Sequence, residues 1–352
     1  GGCGINRADA VTGSVQSEAA SDHKTTKNSN AEYTSEVFAM DTYMTLTAYG
    51  ENAKEAVEAG IAEIQRLDAL LSTGDANSEV AQINQNGGGT LSEDTDYLVK
   101  RALAIYQSTQ GAFDISIYPV MQLWGFTTGD FAVPSKENLA AKLALVNAGR
   151  ISLTEDNGVS SITLPEGMEI DLGGIAKGYT SGRVMEVMKR YGIESAVINL
   201  GGNAHVLGSK PDGSAWKVGI QDPNDTNGYL GGVSVRDKAI ITSGGYERYF
   251  VDEATGVKYH HIIDPKTGYS ANNGLISVTI VSADSTLADG LSTSLFVLGT
   301  EDAIAYCEEH CAEDGFDAIM EDEDGKLYIT DGVMDDFINM NNTANIQEIK
   351  TK

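Results

Sequence analysis

Three short stretches carry residues whose types and spacing suit chemistry. The first is Ser285 to Leu298, read as a helix. At roughly 100° per residue, Leu287, Leu291, Leu295 and Leu298 fall in a stripe of about 80°, while Asp289 and Thr293 point to nearly the opposite side. A carboxylate and a hydroxyl one turn apart are hard oxygen donors. They suit Mg²⁺, which keeps several positions for water or phosphate, and they equally suit a solvated polar face. The second is Tyr259-His-His-Ile-Ile-Asp-Pro-Lys-Thr-Gly268, which holds two of the chain's five histidines beside a carboxylate and a proline-fixed turn. A histidine there either takes a proton from an attacking hydroxyl, holds a phosphate, or merely packs a strand-to-turn segment.

The third stretch, Glu169 to Gly182, organises the others. Ile170 and Leu172 alternate with Glu169 and Asp171, which predicts a strand over 168–172. From Ile175 onward Tyr179, Val184, Val187, Met188 and Tyr191 fall near helical spacing, so the chain reverses at Gly173-Gly174. Two glycines leave no Cβ in the way of a ligand approaching backbone carbonyls and the amides of a helix start. Asp171 and Lys177 flank that turn with opposite charges, a set suited to a phosphorylated ligand or to simple close packing.

The remaining elements must position these stretches. Val37 to Tyr49 reads as a strand or hairpin, and Asn52 to Leu71 as an amphipathic helix with Val57, Ile61, Ile64, Leu67 and Leu71 on one stripe. Ser72–Val80 and Asn84–Gly89 read as loop, and Thr95–Thr109 as a helix. Gly111–Phe126 concentrates aromatic side chains around Pro119 without helical period, so it either lines a ring-binding pocket or caps a core. After a short helix at Lys136–Val146 come strands at 159–164, 195–200, 216–220, 229–235, 239–242, 246–251, 258–263 and 275–283. The tail adds a helix to His310 and a hairpin of 317–320 with 326–330. Helices mixed with antiparallel strands imply an α+β fold of mixed, largely antiparallel sheets with packed helices. Residues 1–34 have almost no large apolar side chains and read as a flexible tether; 35–340 reads as one domain, or two intimately packed lobes.

Composition narrows the partners. Against 51 Asp and Glu stand 24 Lys and Arg, a net charge of −27 that disfavours nucleic acid and anionic membrane surfaces. A polyanionic ligand therefore needs local help, from Lys177 or a divalent cation. Of three cysteines, Cys307 and Cys311 share a helix face beside His310, which suits two half-buried thiols and is short of the four ligands of a zinc site. Gly1-Gly2-Cys3 before a polar stretch looks like the end of a bacterial lipoprotein signal. Cys3 would then carry lipid and tether the chain to the cell membrane outside the cytoplasm. Neither G-x-G-x-x-G nor a Walker loop occurs.

Read in order, Met40-Asp-Thr, Ser72-Thr with Ser78-Glu-Val, Gly111-Ala-Phe-Asp114, Leu123-Trp-Gly-Phe126, Asp171-Leu-Gly-Gly-Ile-Ala-Lys-Gly-Tyr179 and Asn199-Leu-Gly-Gly202 are followed by Thr242-Ser-Gly, His261-Ile-Ile-Asp-Pro-Lys-Thr-Gly268 and Ala288-Asp-Gly-Leu-Ser-Thr293. This order resembles the ApbE family of FAD:protein FMN transferases from about residue 36 to 335. The resemblance implies a Mg²⁺-dependent enzyme that splits FAD at its pyrophosphate, releases AMP and attaches FMN to a threonine or serine of a partner. Such partners are subunits of membrane redox complexes of the sodium-pumping quinone reductase or Rnf type.

Carried over by position, the resemblance places a metal ion on the main-chain oxygen of Gly174 and the side chains of Asp289 and Thr293. It implies FAD contacts from Met40, Ala112, Phe113, Asp114, Asp171, Lys177 and Ile262, with His261 at the phosphates as candidate base. One departure stands out: family members commonly carry an aromatic residue where this chain has Gly74, so one side of the flavin lacks a stacking partner. That sets FAD pyrophosphatase action beside transfer as an expectation, with a non-catalytic, lipid-anchored FAD-binding protein as the alternative of another class.

Overall fold

The computed structural model describes residues 31–340 and 345–352; Cys3 and most of the expected tether lie outside them. Nine strands form the central sheet. They are β1 (Glu32–Ala39), β2 (Thr42–Tyr49), β3 (Ser195–Leu200), β4 (Asn203–Leu207), β5 (Ala239–Gly244), β6 (Leu275–Ser282), β7 (Phe316–Asp322), β8 (Lys326–Thr330) and β9 (Asn345–Ile349). Spatial order follows chain order from β1 to β9. Every neighbouring pair is antiparallel except β8 and β9, which run parallel. The sheet begins at Glu32, inside the stretch expected as tether, and continues to Ile349, past residue 340.

Period-two alternation assigns the two faces. Along β6, Val278 and Ile280 point into one core and Val281 into another. The second face is covered by a small sheet of 216–222, 225–235 and 337–339, with Trp216 fully buried between. Helices cover the first face: α1 (Ala53–Leu71), α2 (Glu79–Asn86), α3 (Glu93–Ser108), α6 (Gly173–Arg190), α7 (Ser285–Leu298) and α8 (Thr300–Asp314), while α4 (Tyr118–Trp124) and α5 (Lys136–Leu143) pack together in a separate cluster around Trp124.

Three sequence expectations change. Residues 79–86, expected at the junction of two loops, form α2, which starts on a Ser78 cap and is closed at its other end by Gly87 in the left-handed region. The aromatic stretch 111–126 contains α4, because Pro119 falls in its first turn, where a missing N–H costs nothing. Residues 168–172 join no sheet. The Asn84 side chain takes the place of a neighbouring strand, accepting from the Ile170 N–H at 2.8 Å and donating to its carbonyl at 2.9 Å.

Two glycines decide how closely the central helices approach. A Cβ on Gly178 of α6 would lie 2.2 Å from the Ser285 carbonyl oxygen and 2.7 Å from the Asp289 Cβ of α7. A Cβ on Gly60 of α1 would meet Leu46 at 2.9 Å and Val184 of α6 at 3.3 Å. Glycine therefore brings α6 against α7, and the site forms where they touch.

Candidate functional site between two helices

The turn entering α6 is built from several directions. Asp171 donates its main-chain N–H to the Ile115 carbonyl at 2.9 Å, tying the aromatic loop to the glycine pair. Its Oδ1 accepts from the Gly173 N–H at 2.8 Å. Burial raises its pKa, with Lys177 and Arg248 opposing and Asp41 adding to the rise. Leu172 gives the helix no side-chain N-cap, and its first amides are answered locally, Gly173 by Asp171 and Ile175 and Ala176 by the Leu172 carbonyl, at 3.0 Å each. Phe113 closes the floor: a Cβ on Gly174 would lie 2.7 Å from its ring.

Asp289 enters from α7. Its Oδ2 accepts from the Gly178 main-chain N–H at 2.9 Å. In an uninterrupted helix that N–H belongs to the Gly174 carbonyl, so the bond to Asp289 competes for the donor of the oxygen that the sequence assigns to a metal. Burial pushes the Asp289 carboxyl up to about 7, against the Gly178 bond and Lys177. A buried carboxylate without a full counter-charge is costly and is relieved by a proton or a cation. Thr293 lies one turn on, its hydroxyl 3.5 Å from Ser243 Oγ on β5. Among the described residues no three His, Cys, Asp or Glu side chains gather as a metal cluster. An ion here would rest on one carboxylate, the Thr293 hydroxyl and the Gly174 carbonyl, leaving positions for water and phosphate, as Mg²⁺ prefers.

The paired histidines divide. His260 is framework: its Nδ1 accepts from the Ile262 N–H at 3.2 Å and its Nε2 donates to the Ala271 carbonyl at 2.8 Å. His261 approaches the charged cluster. Its Nδ1 lies 3.3 Å from the Arg248 carbonyl, which can only accept, so Nδ1 carries the proton and Nε2 keeps a lone pair. Burial, with the cations of Arg248 and Lys177 adding to it, pushes its pKa down to about 3, so the ring is neutral at physiological pH.

The other expected contacts fall as follows. Ala112, Phe113 and Ile262 are buried in the core cluster that includes Ile175 and Ala288. Met40 sits at the apex of the β1–β2 hairpin, with its sulfur 3.7 Å from the Thr180 hydroxyl of α6. Asp114, also expected to contact the ligand, has both carboxylate oxygens engaged within the loop. One oxygen accepts from the Ser116 N–H and hydroxyl at 2.8 and 2.6 Å, and the other from the Ala148 N–H at 3.2 Å. It holds the loop that presents Phe113. Arg248 was missed by the sequence reading; its only signal was a cation following the Gly244-Gly245 pair. Cys307 and Cys311, on the inner face of α8, are buried in the core. His310 turns instead to Asp314 at 3.5 Å and stacks on Tyr306 at 4.3 Å.

Fold and site together define an α+β protein that gathers oxygen donors, two cations and a histidine near the contact of two helices. The ApbE family matches residues 40–320, and the chain belongs to it. Among its relatives, a FAD:protein FMN transferase of Klebsiella pneumoniae (strain 342) is 37% identical over 69% of this chain and 75% of its own. One of Treponema pallidum (strain Nichols) is 32% identical over 86% and 88%. The crystal structure of the ApbE protein from Thermotoga maritima superposes with a TM-score of 0.78 at 32% identity, covering 86% of this chain and 97% of that one. The flavin transferase ApbE from Vibrio cholerae gives 0.73 at 30% identity, covering 85% and 96%.

Proposed function

We propose that this protein transfers FMN from FAD to a serine or threonine hydroxyl of a partner protein and releases AMP. The acceptor oxygen bonds to the phosphorus on the FMN side of the diphosphate. The bond from that phosphorus to the bridging oxygen breaks, and AMP leaves with that oxygen. The observation that carries the reading is the Asp289 to Gly178 contact, which sets a buried carboxylate against the second turn of α6, next to the glycine pair that opens the helix. Phosphoryl transfer needs positioning and charge neutralisation more than covalent help.

Mg²⁺ held by Asp289, Thr293 and the Gly174 carbonyl would supply most of that neutralisation. Lys177 and Arg248 supply the rest, and a diphosphate bound against them offsets their share of the depression of His261, the larger share being burial, while its own charge favours the protonated ring. His261 Nε2 then takes the hydroxyl proton. Gly74 favours hydrolysis as a parallel outcome: a Cβ there would find only Ser72 Oγ, at 3.8 Å, so there is room for a ring that this chain does not supply. Where the acceptor site is empty, water attacks and FMN is released. A lipid on Cys3, a position outside the cytoplasm and acceptor subunits from membrane redox complexes complete the proposal; they rest on the Gly1-Gly2-Cys3 start and the family resemblance.

The test incubates the protein with FAD and Mg²⁺ and assays AMP with and without an acceptor peptide. Asp289→Ala should cut AMP release at least a hundredfold, on the scale of a lost charge-stabilising group. Full retention refutes the metal assignment, and no AMP from the wild-type protein leaves only a flavin-binding role.

A further inference from the structure

Ser243, next to the last residue of β5, reaches α7 beside Thr293. Its strand is held on both edges. Beyond Ile240, where pairing with β4 ends, the Asn203 side chain accepts from the Thr242 N–H at 2.8 Å. On the other edge Thr242 and Ser243 pair with Thr279 and Val278 of β6. Successive side chains of a strand point to opposite faces. Thr242 therefore meets Thr279, hydroxyl to hydroxyl at 2.7 Å, while Ser243 turns to the helices.

Three successive residues of α7, Ser292, Thr293 and Ser294, carry hydroxyls and use them differently. Ser292 donates to the Asp289 carbonyl at 2.9 Å and Ser294 to the Gly290 carbonyl at 2.7 Å. A helical threonine commonly returns its proton to the carbonyl four residues back. For Thr293 that carbonyl belongs to Asp289, and Ser292 already occupies it; the Thr293 hydroxyl lies instead 3.5 Å from Ser243 Oγ.

The direction of each bond follows, because a hydroxyl has one proton and a carbonyl can only accept. Ser292 gives its proton to Asp289, so at 2.8 Å it accepts from Ser243. Ser243 then has no proton left for Thr293, and the Thr293 hydroxyl is the donor between them. A contact of 3.5 Å is loose for two hydroxyls. It strengthens when a cation on the threonine oxygen makes its proton more acidic.

Resting on the transfer reading and its Mg²⁺, we propose that Ser243 and Ser292 are positioning residues for the cation. The chain from Thr293 through Ser243 and Ser292 to the Asp289 carbonyl draws the Thr293 proton toward β5 and leaves that oxygen's lone pairs for the ion. Ser292 is fully buried while Ser243 and Thr293 are half-buried, so the chain is anchored in the core and open at the end a ligand would reach.

The test reads metal binding directly. Mn²⁺ stands in for Mg²⁺, and free Mn²⁺ is followed by electron paramagnetic resonance on the whole protein without FAD. Thr293→Val should weaken Mn²⁺ binding at least tenfold. Ser243→Ala, which keeps the Thr293 oxygen but removes its acceptor, should weaken it about tenfold, the lower end of the loss for an outer partner of a metal ligand. Ser243→Thr restores the hydroxyl and should bind within about twofold of wild type. Thr242→Val, which breaks the hydroxyl pair on the opposite face of the same strand, should also stay within about twofold. In AMP release, the Mg²⁺ needed for half-maximal rate should rise in step for Ser243→Ala. Unchanged Mn²⁺ affinity in Ser243→Ala, or an equal loss in Ser243→Thr or Thr242→Val, while Thr293→Val is weakened, overturns the positioning role alone. Unchanged affinity in Thr293→Val and Asp289→Ala, or no Mn²⁺ binding by the wild-type protein, overturns the metal assignment and the positioning role with it.

Discussion

Two adjacent histidines of identical chemistry have different work because of what faces each ring. His260 is locked between an N–H and a carbonyl, while His261 gives one ring nitrogen to the Arg248 carbonyl and keeps the lone pair of the other. A third histidine shows burial acting on stability. His205, on β4, is buried beside Ser181, 2.8 Å from its hydroxyl, and desolvation, with Lys189 adding to it, lowers its pKa from 6.5 to about 4. Between those values the unfolded chain binds a proton that the folded chain does not. Its contribution to stability is therefore full above pH 6.5 and is lost as pH falls toward 4, by about 3 kcal/mol. Denaturant melts of wild type and His205→Gln across pH 4 to 7 should show this: the stability difference stays constant above 6.5 and shrinks below it by about that amount. Parallel curves throughout would show that the ring titrates alike in the folded and unfolded protein.

At the level of elements, the contact of α6 with α7 is the part on which the site depends. Gly178 lets the helices close and gives its N–H to Asp289, so one residue couples packing to the carboxylate. In Gly178→Ala the new methyl meets backbone, which cannot rotate away. Overpacking of this kind costs about 1–3 kcal/mol. The Mg²⁺ concentration needed for half-maximal AMP release should rise more than the thermal midpoint alone accounts for, and thermal melts beside a Mg²⁺ titration check both. An unchanged Mg²⁺ dependence would separate the helix contact from the ion. The α7 stripe was legible in the sequence because its leucines repeat at helical spacing. The 168–172 segment was misread as a strand because Asn84, 86 residues away in sequence, supplies the hydrogen bonds a strand neighbour would make.

Across the central sheet, chain order and sheet order coincide, so each strand is added beside its predecessor and the last one covers β8. β9 pairs with β8 and buries Ile349. A chain ended at residue 340, the expected end of the domain, should lose the burial of Ile349 and leave β8 as the outer strand. Exposed edges invite pairing with other chains. A lower thermal midpoint and concentration-dependent association in light scattering are expected for that truncation; a monomeric, equally stable product would show that β9 adds nothing.

By itself the sequence determined the elements with strong periodicity, the excess of acid, and the residues with chemistry to offer, because these depend on local spacing and composition. Asp289 and Thr293 on one helix face, Gly173-Gly174 at a turn and Lys177 beside it needed no tertiary information. Only the tertiary structure decided which of these meet. It set Phe113 on Gly174, gave the Gly178 N–H to Asp289, turned His260 inward and His261 toward Arg248, and made Asp114 a brace. Those outcomes depend on distance between elements far apart in the chain, and a periodic pattern specifies which face an element buries but not what that face will touch.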